Sequence, residues 1–472
     1  MNSLNRRSFL LACGSAQAAT PTRGPLRPHP GNPRYFAGSD GQPVFLAGSH
    51  TWNNLQDSGV ARPSPFPWNG YLRMMLGHNH NFLRLWSWEH ASWATWSTDK
   101  VVFEPTAYLR TGPGQALDGG QKFDLSRFNP AYFDRLRQRV ADCRDRGIYA
   151  AVMLFQGFSG KRRSANHCGD PWPGHPYNRA NNINGVDGEK SGDSSVDLAS
   201  AEVRRLQVTY LRKVVDTVNA FDNVLYEVIN EGGNPEWDAW VVNTVHQLER
   251  GKGIEHPVGV TGQGGTKLSD MLSGPADWIA PGISDVPLYK TDPPAWDGRK
   301  VSVLDTDHIW GHGGTASWVW KSFCRGYNVL LMDAWDPIAG TNCPSIPWDR
   351  RPGAPGRNWN RAGDPAWEPV RQAMGKARSY AARLDLASAI PAGDLASTGF
   401  CLAKPGHQYL AYLPEGDEVT LDLGASGGEF QLEWLNVAAN RIENGGAVAG
   451  GKRQRLLTPF VGPAVLFASI RR

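Results

Sequence analysis

The stretch NVLYEVINEGG, residues Asn223 to Gly233, reads as a buried strand that runs straight into a carboxylate. Val224, Leu225, Tyr226, Val228 and Ile229 are strand formers with apolar side chains on both faces. That is the pattern of a parallel strand covered on each side. Packing gains nothing from Asn230, Glu231 and two glycines at its end. Two readings stand side by side: Glu231 opens the next helix behind a tight glycine turn, or Glu231 reacts with something.

Seven comparable runs surround this one. QPVFLAGSHTW, NFLRLWSWEH and IYAAVMLFQG precede it; HPVGVTGQ, DWIAPGISDV, KVSVLDTDHIWG and YNVLLMDAWDP follow. Helical patterns lie between them. In NPAYFDRLRQRVADCRDRG, Phe133, Leu136, Val140 and Cys143 recur at helical spacing, Asn129 suits the cap and Pro130 the first turn. Val203, Leu206, Tyr210, Val214 and Val218 repeat the pattern in the segment before the opening stretch. Eight strands alternating with helices make an α/β chain, and eight is the number that closes a (β/α)8 TIM barrel, here expected over residues 25–388. From residue 389 to 472 the period drops to two, in QYLAYLPEGDEVTLDLG, EFQLEWLNVAANRI and GPAVLFASIRR, with glycine-rich turns between. This predicts a small antiparallel β-sandwich. The irregular stretch from Gln156 to Val196 is too long for a plain connection, and loops of that length in compact domains usually serve function.

At 472 residues the chain has room for a barrel and an appendage. Its 49 Lys+Arg against 45 Asp+Glu give a net charge of +4 without clustering, which argues against nucleic acid as a partner. No apolar run is long enough to span a bilayer. Residues 1–18, with Arg6-Arg7, Phe9, Leu10, Leu11 and an Ala16-Gln17-Ala18 end, look like a twin-arginine export signal. They place the mature protein in the periplasm or outside the cell. LLAC ending at Cys13 offers a lipid anchor as the alternative. The remaining cysteines fit no metal motif; Cys168 and Cys343, both in loop-like sequence, are candidates for a bridge. Of 19 tryptophans, 18 precede residue 400; indole rings stack on sugar C–H faces, though packing accounts for at least half of them.

In a barrel of this type the carboxyl ends of the strands carry the chemistry. Polar and aromatic residues collect there: His50 and Trp52 after strand one, Arg84, Trp86, Trp88 and Glu89 on strand two, Asn230 and Glu231 after strand four. Gln263 follows strand five, Asp305, Asp307, His308 and Trp310 strand seven, and Trp335 strand eight. His175 and Asn182 sit in the long third loop. Glycoside cleavage needs two carboxylates, one protonating the leaving oxygen and one attacking the anomeric carbon or activating water. Strands four and seven face each other, so Glu231 pairs with Asp307 or Asp305, and Asp307 better occupies the slot. Glu231 is then the acid/base, Arg84 holds the nucleophile ionised, Asn230 meets a sugar hydroxyl and Trp335 forms the platform.

The Asn-Glu at the end of strand four, the arginine of NFLRLW and Trp335 together resemble the clan A glycoside hydrolases, which are retaining (β/α)8 enzymes. Within that clan, NPRYFAGSDGQPVFLAGSHTWNNLQD resembles the opening of the apiosidase-like group. The tail YLAYLPEGDEVTLDLG with QLEWLN is similar to the collagen-binding-type β-domain that follows that group's barrel. The clan places a glutamate at the end of strand seven, whereas VLDTD has only aspartates. The enzyme so implied acts on a plant or microbial polysaccharide or an oligosaccharide, with no cofactor and no metal, and a monomer is expected. Two other readings compete: a metal-dependent barrel hydrolase using His50, His78, His80 and the strand-seven aspartates, and a non-catalytic carbohydrate- or matrix-binding protein.

Overall fold

The computed structural model describes residues 21–471, except 161–166, 190–195, 197, 263–265, 312, 337–338 and 344–364. The export signal expected over 1–18, Cys13 and Gln263 lie outside the described residues.

Eight parallel strands close into a barrel: β1 (Ala47–His50), β2 (Phe82–Leu85), β3 (Tyr149–Gln156), β4 (Val224–Asn230), β5 (Val258–Gly262), β6 (Trp278–Pro281), β7 (Val301–Asp305) and β8 (Asn328–Met332). Each pairs with its sequence neighbours, and β8 returns to β1 with Met332 opposite His50. The helices between them are α1 (Trp68–Gly77), α2 (Pro130–Arg144), α3 (Ala201–Val218), α4 (Pro235–Glu249), α5 (Leu268–Ser273), α6 (Ala316–Cys324) and α7 (Glu368–Ala381). Only a single 310 turn, Pro287–Lys290, and no α-helix joins β6 to β7.

The local chemistry explains where these helices start. The Asn129 side chain accepts from the Ala131 N–H with Pro130 in the first turn, Ser200 accepts from Val203 and Thr315 from Trp318. A three-stranded sheet of Arg27–Pro28, Phe36–Ala37 and Pro43–Val44 closes the amino end of the barrel. Its Phe36 and Val44 share one apolar cluster with Phe82, Leu225, Val301 and Val303. That floor leaves the carboxyl end as the open mouth.

The tail folds as antiparallel sheets. β9 (Ile390–Pro391), β10 (Cys401–Lys404), β11 (Gln408–Leu413), β13 (Glu429–Asn436), β14 (Arg441–Ala449) and β16 (Ala464–Ile470) form a six-stranded sheet; β12 (Glu418–Asp422) pairs with β15 (Arg453–Leu457). One cluster, with Tyr409, Leu421, Phe430 and Trp434, fills the tail's own interior. The other side of the sheet supplies Leu410, Tyr412 and Phe467 to the core around α6 and α7. Tyr380 and Arg383 both bond to Glu433 across that seam. The tail is thus packed on the barrel's outer helices.

A disulfide joins Cys168 to Cys343, so the loops after β3 and β8 are tied to each other. Cys143, Cys324 and Cys401 are free and buried. No helix among the described residues is long and apolar enough to cross a membrane.

Candidate active site

Side chains two residues apart on a strand point the same way. The alternation that sends Phe82, Leu225, Val301 and Val303 into the barrel floor therefore sends Arg84, Glu227 and Asp305 into the layer above. All three are fully buried, and Arg84 joins the two carboxyls. Arg84 Nε donates to Glu227 Oε2 at 2.6 Å, and its Nη1 lies 2.6 Å from Asp305 Oδ2. Thr261 of β5 donates to the other oxygen of Glu227. Asp305 Oδ1 accepts from His50 Nε2 at 3.0 Å and from the Asp307 backbone N–H at 3.0 Å. Burial by itself would raise the Asp305 carboxyl, but the Arg84 and His50 charges outweigh it and hold the group well below the usual range. Burial also dominates at Glu227, and there it wins against Arg84 and Thr261, so the pKa is raised.

Above this layer lies the pair that the strand ends were expected to supply. Glu231 and Asp307, together with His308, bring donor atoms within 4.8 Å of one another. Asp307 is 7% exposed, and its Oδ2 has no hydrogen-bond partner among the described residues. Burial first, then the Glu231 charge, then Asp305 push its pKa well above the ordinary value, against the pull of Arg84. Two carboxyls so close cannot both ionise cheaply, so the pair holds a proton. Glu231 itself sits in the left-handed region at φ 46°, unusual for a side chain of its size. A residue kept there by its surroundings, at a strand end, is a mark of a functional site. The three donors could hold a metal, although His308 Nε2, 3.8 Å from Asp307, is already bonded to Asn230 Oδ1 at 3.0 Å.

The other expected residues divide into those brought to the pair and those that are not. His50, Arg84, Asn230 and His308 are brought there. Asn230 serves the protein before any sugar: its oxygen accepts from His308, and its Nδ2 donates to Gln156 Oε1 at 3.3 Å. Trp86 stacks on His50, with centroids 5.2 Å apart and planes 6° from parallel. Trp52 and Trp88 join it, with Trp96, in one aromatic wall. Glu89 accepts from the Gln156 backbone N–H, and His175 Nε2 stands 3.6 Å from its other oxygen.

One expectation needs correction. Asn182 turns inward: its Nδ2 donates to the carbonyls of Pro176, Asn178 and Val186, and its oxygen accepts from Val186 N–H. Its polar capacity goes into folding the loop on itself, not to a sugar. Trp335, half-buried at the end of β8, packs against Phe66 and Tyr71 beside α1. Trp310 packs edge-on to Trp318 of α6, at 5.6 Å, with Lys290 over its ring. The metal-hydrolase constellation also fails to assemble. His78 bonds Glu368 and His80 bonds the Arg371 carbonyl, both against α7, while His50 faces Asp305 inside the barrel.

Glu227, Thr261 and Gln156 escaped the sequence reading. Glu227 had a visible signal, a lone carboxylate in the middle of an apolar strand. Thr261 and Gln156 had none, because both residue types are ordinary at strand ends. A cavity of about 470 Å3, lined by Pro63, Phe103, Arg110 and Arg135 among others, includes neither member of the pair.

No protein-family model and no curated protein matches the chain. Solved structures do. A protein described as a glycoside hydrolase is similar at a TM-score of 0.57 and 11% identity, over 95% of this chain and 97% of that one. A glycoside hydrolase family 5 protein from Bacteroides vulgatus ATCC 8482 is similar at 0.59 and 12% identity, over 94% of this chain and 92% of that one. At such identities the likeness establishes the fold: a (β/α)8 barrel followed by antiparallel sheets.

Proposed function

We propose that the chain is a glycoside hydrolase that cleaves O-glycosidic bonds of a polysaccharide or oligosaccharide by a two-carboxylate, retaining mechanism. One observation carries the reading: Glu231 and Asp307 approach within 4.8 Å at the barrel mouth, over a buried Arg84–Asp305–His50 base. Retaining enzymes hold their carboxyls about 5–5.5 Å apart and inverting ones about 6.5–9.5 Å, leaving room for a water. The likeness to solved glycoside hydrolases supports the same reading.

In this mechanism Glu231 gives its proton to the leaving oxygen while an Asp307 oxygen bonds to the anomeric carbon and the glycosidic C–O bond breaks. Glu231 then takes a proton from water, which attacks the anomeric carbon and releases Asp307. Asp305 does not attack, because its oxygens are committed to Arg84, His50 and the Asp307 N–H. It holds the Arg84 guanidinium in place beneath Asp307. The proton shared by the pair is the one the first step spends.

The reciprocal assignment, Asp307 donating and Glu231 attacking, draws on the deeper burial of Asp307 and its raised pKa. Azide decides between them. Glu231→Gln and Asp307→Asn are assayed on a broad glycan panel with and without azide. The acid/base variant is rescued with a glycosyl azide of retained configuration, the nucleophile variant with an inverted one. A Glu231→Gln protein that keeps near-normal rates sinks the assignment of both roles.

The finer placement belongs to the same proposal: an apiosidase-like enzyme with a collagen-binding-type tail, resting on the opening stretch and tail motifs. Export to the periplasm or beyond rests on the Arg6-Arg7 segment and is in keeping with the Cys168–Cys343 bridge.

A further inference from the structure

The connection from β4 to α4 carries Glu231 in a conformation that little in its own sequence stabilises. Glu231 has φ 46° and Gly233 φ 74°, and Asn234 then caps α4 by accepting from Trp237 N–H. Something must hold this connection from behind. Asp238, in the first turns of α4 and 2% exposed, is the group in place to do so. Its Oδ2 accepts from the Thr266 hydroxyl, on the segment after β5. Its Oδ1 has no partner among the described residues and faces Gly233, where an added Cβ would lie 2.2 Å away. The carboxyl is wedged between the carrier of Glu231 and the neighbouring strand's loop.

We infer that Asp238 is a positioning residue for the reaction: it sets the backbone of Glu231-Gly232-Gly233, and its protonation state decides where the Glu231 carboxyl stands. The inference rests on the hydrolase reading above for its kinetic consequence, though not for its geometry. A buried carboxyl with a single hydroxyl donor is tolerable as a neutral acid and costly as an anion. Burial accordingly pushes Asp238 up to about 7, against the Thr266 hydrogen bond. The titratable and charged groups on the surrounding elements are Glu231 on the connection, Glu236, His246 and Glu249 on α4, and Lys267 and Asp270 beyond Thr266. Asp238 forms no ion pair among the described residues; burial raises its pKa and the Thr266 hydrogen bond opposes the rise. Once ionised, Asp238 is relieved by hydration or by movement of the glycine connection, and either displaces Glu231.

The sign follows directly. Because the folded value is raised, the stability contributed by the neutral acid is complete below the unfolded value and is lost as pH rises through about 7. Asp238→Asn keeps the size and the Thr266 partner but cannot ionise; Asp238→Ala removes the wedge. The test follows kcat and KM on the best panel substrate, the thermal midpoint from pH 5 to 8, and crystal structures of the wild type and Asp238→Ala. Asp238→Ala is expected to lower kcat by about tenfold or more with KM nearly unchanged, since a misplacement of about 1 Å costs up to a hundredfold. Asp238→Asn is expected to keep kcat near its wild-type value at pH 5 and to flatten the fall of the midpoint between pH 5 and 8. In the Asp238→Ala crystal the Glu231 carboxyl is expected to move. An unmoved Glu231, or an Asp238→Asn protein with the wild-type pH dependence, overturns the inference. If the wild type hydrolyses nothing on the panel, the hydrolase reading falls, and the midpoint and crystal arms still decide the role of Asp238.

Discussion

Gly157 opens the turn after β3, and a single methyl there tests whether the placement of Glu231 matters. A Cβ built at this position would lie 2.0 Å from the Glu231 carbonyl oxygen, 2.6 Å from its carbon and 2.8 Å from the Asn230 oxygen. All three are backbone atoms, so no flexible side chain can swing away. Real Cβ contacts essentially never fall below 3.0 Å, so Gly157→Ala forces the β4 end to retreat by about 1 Å. Overpacking of this kind costs about 1–3 kcal/mol of stability. The catalytic cost comes on top of this, because a carboxyl moved by about 1 Å from its productive position loses up to about a hundredfold in rate. The variant is expected to stay folded, with a thermal midpoint lowered by a few degrees, and to lose between ten- and a hundredfold in kcat. Steady-state kinetics on the best panel substrate, beside a melting curve, provide the assay. A Gly157→Ala enzyme within about threefold of wild-type kcat would refute the reasoning, because the forced shift at Glu231 would then have no consequence for the chemistry.

Three further outcomes follow from the same geometry. Arg84→Met strands Glu227 and Asp305 as buried acids without their shared cation and should cost about 3–5 kcal/mol in denaturant unfolding, with the loss easing as pH falls. In Glu231→Gln the Asp307 pKa should fall, because a repelling charge is removed, yet stay above the ordinary value, because burial is its largest cause; a 13C-labelled Asp titration reads this. Cys168→Ser opens a closure spanning 175 residues and should lower stability by at most about 5 kcal/mol, seen as a reduced thermal midpoint and one additional alkylatable thiol.

The sequence by itself determined the barrel and most of its mouth. Eight apolar runs with helical spacing between them admit little besides a closed parallel sheet, because each run is covered on both faces and each connection is long enough to cross over. The same alternation pointed to the strand ends, and Glu231, Asp307 and Arg84 were all visible there as polar residues that packing did not need. Tertiary structure decided which polar groups face each other. Asp305 and Asp307 are two residues apart in one strand-end motif, and only the closed barrel puts Arg84 and His50 against the first and Glu231 against the second. Asn182 looks like a sugar ligand in the sequence, yet it bonds its own loop. Residue type sets what a side chain can bond to; the partners within reach are set by segments far apart in the chain, and no local pattern records them.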